Sequence, residues 1–452
     1  MEVEKVKRKL AVVLAVVMAF SMTACGQGES EKENGSTGAQ SSSGEKSYEG
    51  VTLNVAHSYT DSNKDSFLAQ FAAFEEKYGC KVEVEMLSAD ADEMESVLQV
   101  RAATGNLPDV WANSVGAKLE EMAPEENCYD LSGEDWITER VNEDYLEIVS
   151  DDETGAIYGV PAVPSNVAGV FYNKNVYEEL GLEIPGTWDE FMENCKIIKE
   201  KSDKIPVMSQ YSNASGVQIL FLSQYYYVQK ENPDFAEQYT NREIELHESD
   251  AYMRGLEKMY EIWEEGYQND NPLEISWEDA AKEISAGNAV HIFCRTNIMS
   301  TVETVNKEAI ENIGFFPLPD EKAEDLGVAT WMPQAWCVNK NSENVELAKL
   351  LVEFLTTEEA VEAYCTETIP AGAFMLNDVA MPEDVSSAVK EAQSWAEKSS
   401  TPVMEYYCDI KGPNLATILT MVGTGEYTPE EGIAEIEADN AIDAQQKGLE
   451  GW

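Results

Sequence analysis

Histidine is nearly missing from this chain. His57, His247 and His291 are the only three among 452 residues, at no metal-ligand spacing, and His291 falls inside a strand pattern. Cysteine is sparse in pattern rather than in number. After Cys25 come Cys80, Cys128, Cys195, Cys294, Cys337, Cys365 and Cys408, with no C-x-x-C pair among them. That scatter disfavours a metal cluster or a dense disulfide framework, leaves one or two disulfides open, and selects no pair. H-E-x-x-H, a G-x-S-x-G elbow and a phosphate-cradling glycine loop are absent as well. No catalytic residue, metal or cofactor is therefore expected. Carboxylates are so abundant that no pair of them signals a glycosidase, which stays a remote alternative. Positive charge is the largest deficit: 31 Lys and Arg stand against 85 Asp and Glu, a formal charge of −54. Such a surface repels phosphate backbones and excludes a nucleic-acid partner. It is repelled equally by anionic lipid and cell-wall polymers, which would keep a tethered protein upright and mobile.

Long apolar runs are limited to one, Leu10 to Phe20, preceded by Lys5, Lys7, Arg8 and Lys9. This is a secretory signal pattern, too short to span a bilayer as a folded helix. It leads into Met22-Thr23-Ala24-Cys25-Gly26, which resembles a lipobox, although such boxes usually carry Leu where Met22 stands. The expectation is a signal peptide over residues 1–24 and acylation at Cys25. Gln27 to Lys46 holds Gly, Ser, Glu and Lys without large apolar residues, so 25–47 reads as a lipidated N-terminus and flexible tether. The predicted location is the extracytoplasmic face of the cell membrane.

The remainder has the composition of a folded body, 43% hydrophobic with nine tryptophans, and a length that allows two or three domains. Val51 to Val55, Val82 to Met86 and Leu107 to Trp111 alternate as strands. Between them Phe67, Phe71, Phe74 and Tyr78 form an apolar helical stripe, and Met94, Val97, Leu98 and Arg101 mark another helix. Strand–helix alternation implies parallel crossovers and an α/β lobe. Tyr158 to Pro161 reads as a tight turn, Val167 to Tyr172 as a buried strand, and Val176 to Leu180 as a short helix closed by Gly181. Thr187 with Glu190, Ser276 with Asp279, and Thr428 with Pro429 read as helix N-termini. Thr356 with Glu359 is read the same way, and Gln218 to Val228 as a tyrosine-rich helix. Trp111 and Trp336 alternate with strand residues and read as core.

In order, the text FYNK, short helix, GLEIPGTWDEF from Phe171 to Phe191 resembles the family 1 extracellular solute-binding proteins of ABC importers. Gly105 to Val110, Gly287 to Val290, Phe316 to Pro319 and Trp336 to Ala373 resemble that family in the same order. The resemblance covers most of the chain after the tether. It implies a type II periplasmic-binding-protein-like fold of two α/β lobes, each a mixed, mostly parallel sheet flanked by helices and joined by a hinge. Lobe 1 would comprise 48–160 plus 331–370, and lobe 2 161–330 plus 371–452, with Tyr158 to Pro161 as the hinge.

The resemblance further implies a monomeric, lipid-anchored receptor. It would close on a small-molecule solute, a carbohydrate such as an oligosaccharide, and dock on ABC permease transmembrane subunits. A ligand-presenting receptor for a sensor kinase would look the same. Carried over by segment matching, the ligand-binding residues would be His57 and Tyr59, Asn113 and Ser114, Asn166, Asn213 and Gln218. Arg295 and Asn297, Trp331 and Gln334, and Tyr406 and Tyr407 complete the set. A sugar needs aromatic plates for its CH faces and planar polar groups for its edges, and this set holds both. Asn166 and Asn213 could equally serve turns, and at most one ring of Tyr406 and Tyr407 should face a cleft. Arg295 departs from the aromatic or Gly-aromatic that many sugar binders place there. Arginine suits a carboxylate, a sulfate or a bidentate pair of hydroxyls, so an acidic sugar or a non-sugar ligand stays open.

Overall fold

The strands, in chain order, are β1 (Thr52–Ser58), β2 (Lys81–Leu87), β3 (Val110–Asn113), β4 (Val160–Pro161), β5 (Asn166–Asn173) and β6 (Ile205–Val207). They continue with β7 (Ala289–Arg295), β8 (Ile313–Phe316), β9 (Val328–Trp331), β10 (Ala335–Val338) and β11 (Ser400–Pro402). The computed structural model describes residues 48–58, 63–88, 91–151, 153–449 and 451–452. The expected signal peptide, Cys25, the tether and Tyr59 lie outside the described residues.

Two mixed sheets result. The first runs β2-β1-β3-β10-β4. In it β1 is parallel to β2 and β3, because the helices Lys64–Tyr78 and Ala91–Thr104 carry the chain back between strands, while β10 runs antiparallel to β3 and β4. The second runs β11-β9-β5-β7-β6, with β8 also on β5. Here β5 is antiparallel to β7, β8 and β9, while β6 pairs parallel with β7 and β11 with β9. Its run Val167 to Phe171 is buried on both faces, as a central strand requires.

Each lobe has its own core. In the first, Phe67, Phe71 and Phe74 line the inner face of their helix, and the rings of Phe67 and Phe71 meet Trp336 at 6.0 and 5.8 Å. Trp111 and Trp336 are wholly buried there. In the second, apolar clusters cover the two faces of the sheet. Val170 packs with Phe191 and Ile198 on one side, and Phe171 with Ile284 and Ile292 on the other.

Local chemistry places several boundaries. Gly181 ends its helix at φ 67°, and full capping boxes form at Thr187/Glu190, Ser276/Asp279 and Thr428/Glu431. Several segments differ from the sequence expectation, among them the third strand, which runs Val110–Asn113 instead of Leu107 to Trp111. Thr357, not Thr356, caps the helix Glu358–Cys365, because the preceding helix runs on to Leu355 and both threonine hydroxyls bond back to its last carbonyls. The tyrosine-rich segment is two helices, Ala214–Ser223 and Tyr225–Glu231. They part at the buried Gln224, whose amide is held by Asp320 and Lys258. Lastly, Val160 and Pro161 are a strand rather than part of a turn, paired to Trp336 and Ala335.

The chain passes between the lobes side by side. Residues 162–165 lead from β4 to β5, and 332–334 from β9 back to β10. Phe374 then packs in the first core and Val385 in the second. The amide of Ala162 donates to the Gln334 carbonyl at 2.8 Å, and that of Ser165 to the Ala373 carbonyl at 2.7 Å.

Candidate functional site

The residues proposed from sequence fall into three groups. The first gathers at the crossing end of the second sheet. Asn166 opens β5 directly opposite Trp331, the last residue of β9. Its Oδ1 accepts from the backbone N–H of Asn297 at 3.0 Å, so it pins the turn after β7 to the start of β5. Arg295 ends β7, and its guanidinium carbon lies 5.4 Å from the centre of the Trp331 ring, a cation–π arrangement. Tyr406 sits in the short 3-10 turn Met404–Tyr406 and donates its hydroxyl to the Met332 carbonyl at 3.2 Å. Asn166, Arg295, Asn297, Trp331 and Tyr406 thus form one floor beneath the crossings.

Arg295 is the electrostatic anomaly of this floor. Arg101, Arg140, Arg242 and Arg254 each reach a carboxylate. The guanidinium of Arg295 makes no ion pair among the described residues, and its buried Nε has no hydrogen-bond partner. Desolvation pulls its pKa below the ordinary arginine value, with Tyr406 and Glu405 opposing from nearby. Glu405 is itself paired with Lys411. Asn297 Oδ1 is a second buried atom here without a partner.

The second group belongs to the first lobe. Asn113 ends β3 opposite Ala335, wholly buried, with its Nδ2 donating to the Ser114 carbonyl at 2.8 Å and its Oδ1 without a partner. Ser114 is half-buried beside it. The Gln334 carbonyl accepts from Ala162 and from the Tyr145 hydroxyl, while its side chain reaches the Met94 sulfur. His57 is packed into the core instead, its ring 4.2 Å from that of Phe67 and 4.8 Å from that of Trp336. Burial lowers its pKa to about 3, so the ring is neutral and serves the packing of the lobe.

The third group is spread along the second lobe. Asn213 is the exposed N-cap of the helix Ala214–Ser223, accepting from the Gly216 N–H at 3.0 Å. Gln218 lies in that helix, which packs across β5, β7 and β9. Tyr407 is 41% exposed. Its ring lies 6.5 Å from that of Tyr225, and burial together with the first-lobe acids Glu147 and Asp144 pushes its hydroxyl pKa up. Tyr406 therefore turns into the floor, and Tyr407 lies between the lobes.

Contacts across the cleft include residues that sequence reading missed. Gly116, at φ +64°, is so close to the turn carrying Tyr406 that a Cβ would stand 2.3 Å from the Tyr406 carbonyl oxygen. Beyond it Lys118 lies 3.7 Å from Asp409, and Glu121 lies 3.7 Å from Lys447. Lys447 also reaches Asp409 at 2.9 Å and Asp443 at 3.2 Å. Burial lifts Asp409 above the ordinary carboxylate range even beside Lys447, whereas at Glu121 burial, though the largest single influence, is outweighed by Lys118, Asp409 and Lys447 acting together, which hold it below that range. No local motif marks these four residues. Each is an ordinary charged side chain in a charge-rich sequence.

Two open concavities, of about 460 and 420 Å³, lie elsewhere on the second lobe, lined by Asn173, Lys204 and Asn306 and by Trp188, Arg254 and Asp320. Neither touches the floor. Among the described residues no three His, Cys, Asp or Glu side chains are grouped to hold a metal, and no helix is long and apolar enough to cross a membrane.

Residues 60–362 match the bacterial extracellular solute-binding protein family. An uncharacterized ABC transporter extracellular-binding protein of Pyrococcus horikoshii is 24% identical over 317 residues, 69% of this chain and 70% of that one. The multiple sugar-binding protein of Streptococcus mutans is 22% identical over 298 residues, 64% and 67% of the two chains. Among solved structures, a Bacillus subtilis binding protein in an open conformation superposes with a TM-score of 0.72 at 17% identity, covering 88% of this chain and 98% of that one.

Proposed function

The chain belongs to the bacterial extracellular solute-binding proteins, which are binders and not enzymes, and from that premise we propose that it is the substrate receptor of an ABC importer with a carbohydrate ligand. The observation that carries this reading is the floor itself. Trp331, Arg295 and Asn297 stand at strand ends of the second sheet, where the chain crosses to the first. Asn113 and Ser114, at the end of β3, would face them from the other lobe. A sugar bound there would lay an apolar face on an aromatic ring and bring its hydroxyls to amide and guanidinium groups. Tyr407 would supply a second plate from the side. Because the ligand would touch both lobes, it would favour the state in which they are together.

Cys25 would carry the lipid that holds the receptor at the membrane, and the closed monomer would dock on the permease. Two measurements on the mature protein test the reading. Calorimetry over a panel of oligosaccharides should find a ligand, and small-angle scattering should show the protein compacting as that ligand is added. Absence of any saccharide ligand would remove the carbohydrate assignment, and binding without compaction would remove the hinge closure.

A further inference from the structure

We propose that the solute this receptor selects carries an anionic group, a carboxylate as in a uronic acid or a sulfate ester, and that Arg295 is the residue that recognises it. The inference rests on the carbohydrate reading above and narrows it.

Three observations converge on it. In a chain with 85 acidic and 31 basic residues, a guanidinium without a carboxylate partner is conspicuous. Arg101, Arg140, Arg242 and Arg254 all find one, and Arg295 finds none among the described residues. The charge is held where leaving it unpaired is costly. Arg295 is half-buried, its Nε is shut from solvent without a partner, and its guanidinium carbon lies 5.4 Å from the centre of the Trp331 ring. Its surroundings are also occupied in a way that leaves the cation available. The nearby carboxylate Glu405 is paired with Lys411, and the Tyr406 hydroxyl is committed to the Met332 carbonyl. What remains is a planar fork of terminal N–H donors at the floor of the cleft, with the Trp331 ring beside it.

A fork of that kind matches two oxygens of one carboxylate or sulfate, in charge and in spacing. Neutral vicinal hydroxyls could also accept from it, but they would leave the positive charge uncompensated in a partly dry site. The carboxyl of a sugar acid would compensate it while the same ring lies against Trp331.

The test uses the mature protein and matched ligands: an oligogalacturonide, a sulfated galactose oligosaccharide, and the neutral galactose oligosaccharide of equal length. Calorimetry should show at least one anionic ligand binding tenfold or more tighter than the neutral one, and the stronger of the two anionic arms names the group. In Arg295→Gln that preference should vanish, with the neutral ligand changed less than threefold. Equal binding of neutral and anionic ligands by the unaltered protein would overturn the inference while leaving the receptor reading intact, and so would an equal loss of both in Arg295→Gln. Binding of no saccharide in any arm would overturn the carbohydrate reading beneath it. The preference of the unaltered protein decides the matter even if the variant does not fold.

Discussion

Lys447, near the end of the last helix of the second lobe, lies 3.7 Å from Glu121 of the first lobe. With Lys118 to Asp409 at the same distance, the two pairs cross the gap between lobes in opposite charge order. Hinge opening would separate both. Such half-exposed pairs contribute about 0.2–1 kcal/mol each and weaken with salt, enough to bias a hinge without locking it.

Lys447→Met should therefore weaken ligand binding by roughly two- to fivefold at low ionic strength, since about 1.4 kcal/mol corresponds to tenfold. The melting temperature should hardly move. Binding isotherms at low and high salt check it: the gap between variant and parent should narrow as salt rises, and a gap independent of salt would show that the pair does not act electrostatically.

Gly116→Ala should hold the lobes apart. The added Cβ would meet the Tyr406 carbonyl oxygen at 2.3 Å, and φ +64° is strained for any residue with a side chain. The expected outcome is a larger radius of gyration in small-angle scattering and a loss of affinity of tenfold or more. An unchanged scattering profile with unchanged affinity would contradict it.

Trp331→Ala removes the ring that lies beside the Arg295 guanidinium and would offer a surface to the ligand. Stacking contributes about 0.5–1.5 kcal/mol beyond burial, so affinity should fall about tenfold in calorimetry. Tyr407→Ala should cost less, since its ring stands at the side of the cleft rather than on its floor. The reverse order would show that the ligand sits against Tyr225 and Tyr407 instead.

The three histidines should titrate in two classes. His57 and His291 are buried with pKa values of about 3. The His291 ring donates through Nδ1 to the Pro206 carbonyl at 2.8 Å and accepts at Nε2 from the Tyr177 hydroxyl at 2.6 Å. His247 is raised by its contact with Glu437. In proton NMR between pH 8 and 4.5 one histidine should titrate, above 6.5, and two should stay neutral. Because the unfolded chain binds protons at these two sites below about 6.5 and the native state does not, stability is lost as pH falls from 6.5 toward 3. Each ring contributes up to about 1.4 kcal/mol per pH unit.

The seven cysteines of the described residues are all free. Cys337 meets Cys128, and this contact and burial push its thiol pKa up. Mild oxidation should join Cys128 to Cys337 and no other described pair, seen as a linked peptide in mass spectrometry. Native-state alkylation should reach Cys365, the one that is not buried.

Much of the scaffold was legible in the sequence because it is written in short-range chemistry. The Phe67, Phe71, Phe74 stripe, the box at Thr187 and Glu190, and the glycine after Leu180 each act within a turn or two of helix. Failures came where a distant group decided. Gln224 breaks a helix because Lys258 and Asp320 hold its amide, and Val160 with Pro161 becomes a strand because β10 offers an edge. His57, read as a ligand residue at a strand end, is enclosed by Phe67 and Trp336 because its side chain points to the helix-covered side of the sheet.

The amino-acid sequence by itself determined the elements, their caps, their apolar faces and the family order of segments, all of which depend on neighbours in the chain. Which charges are left without partners was decided only in three dimensions. Arg295 differs from the other described arginines by what surrounds it, and Glu121 meets Lys447 because two lobes happen to bring their surfaces within ion-pair distance. Electrostatic partnership depends on position and on access to water, and neither exists until the chain has folded.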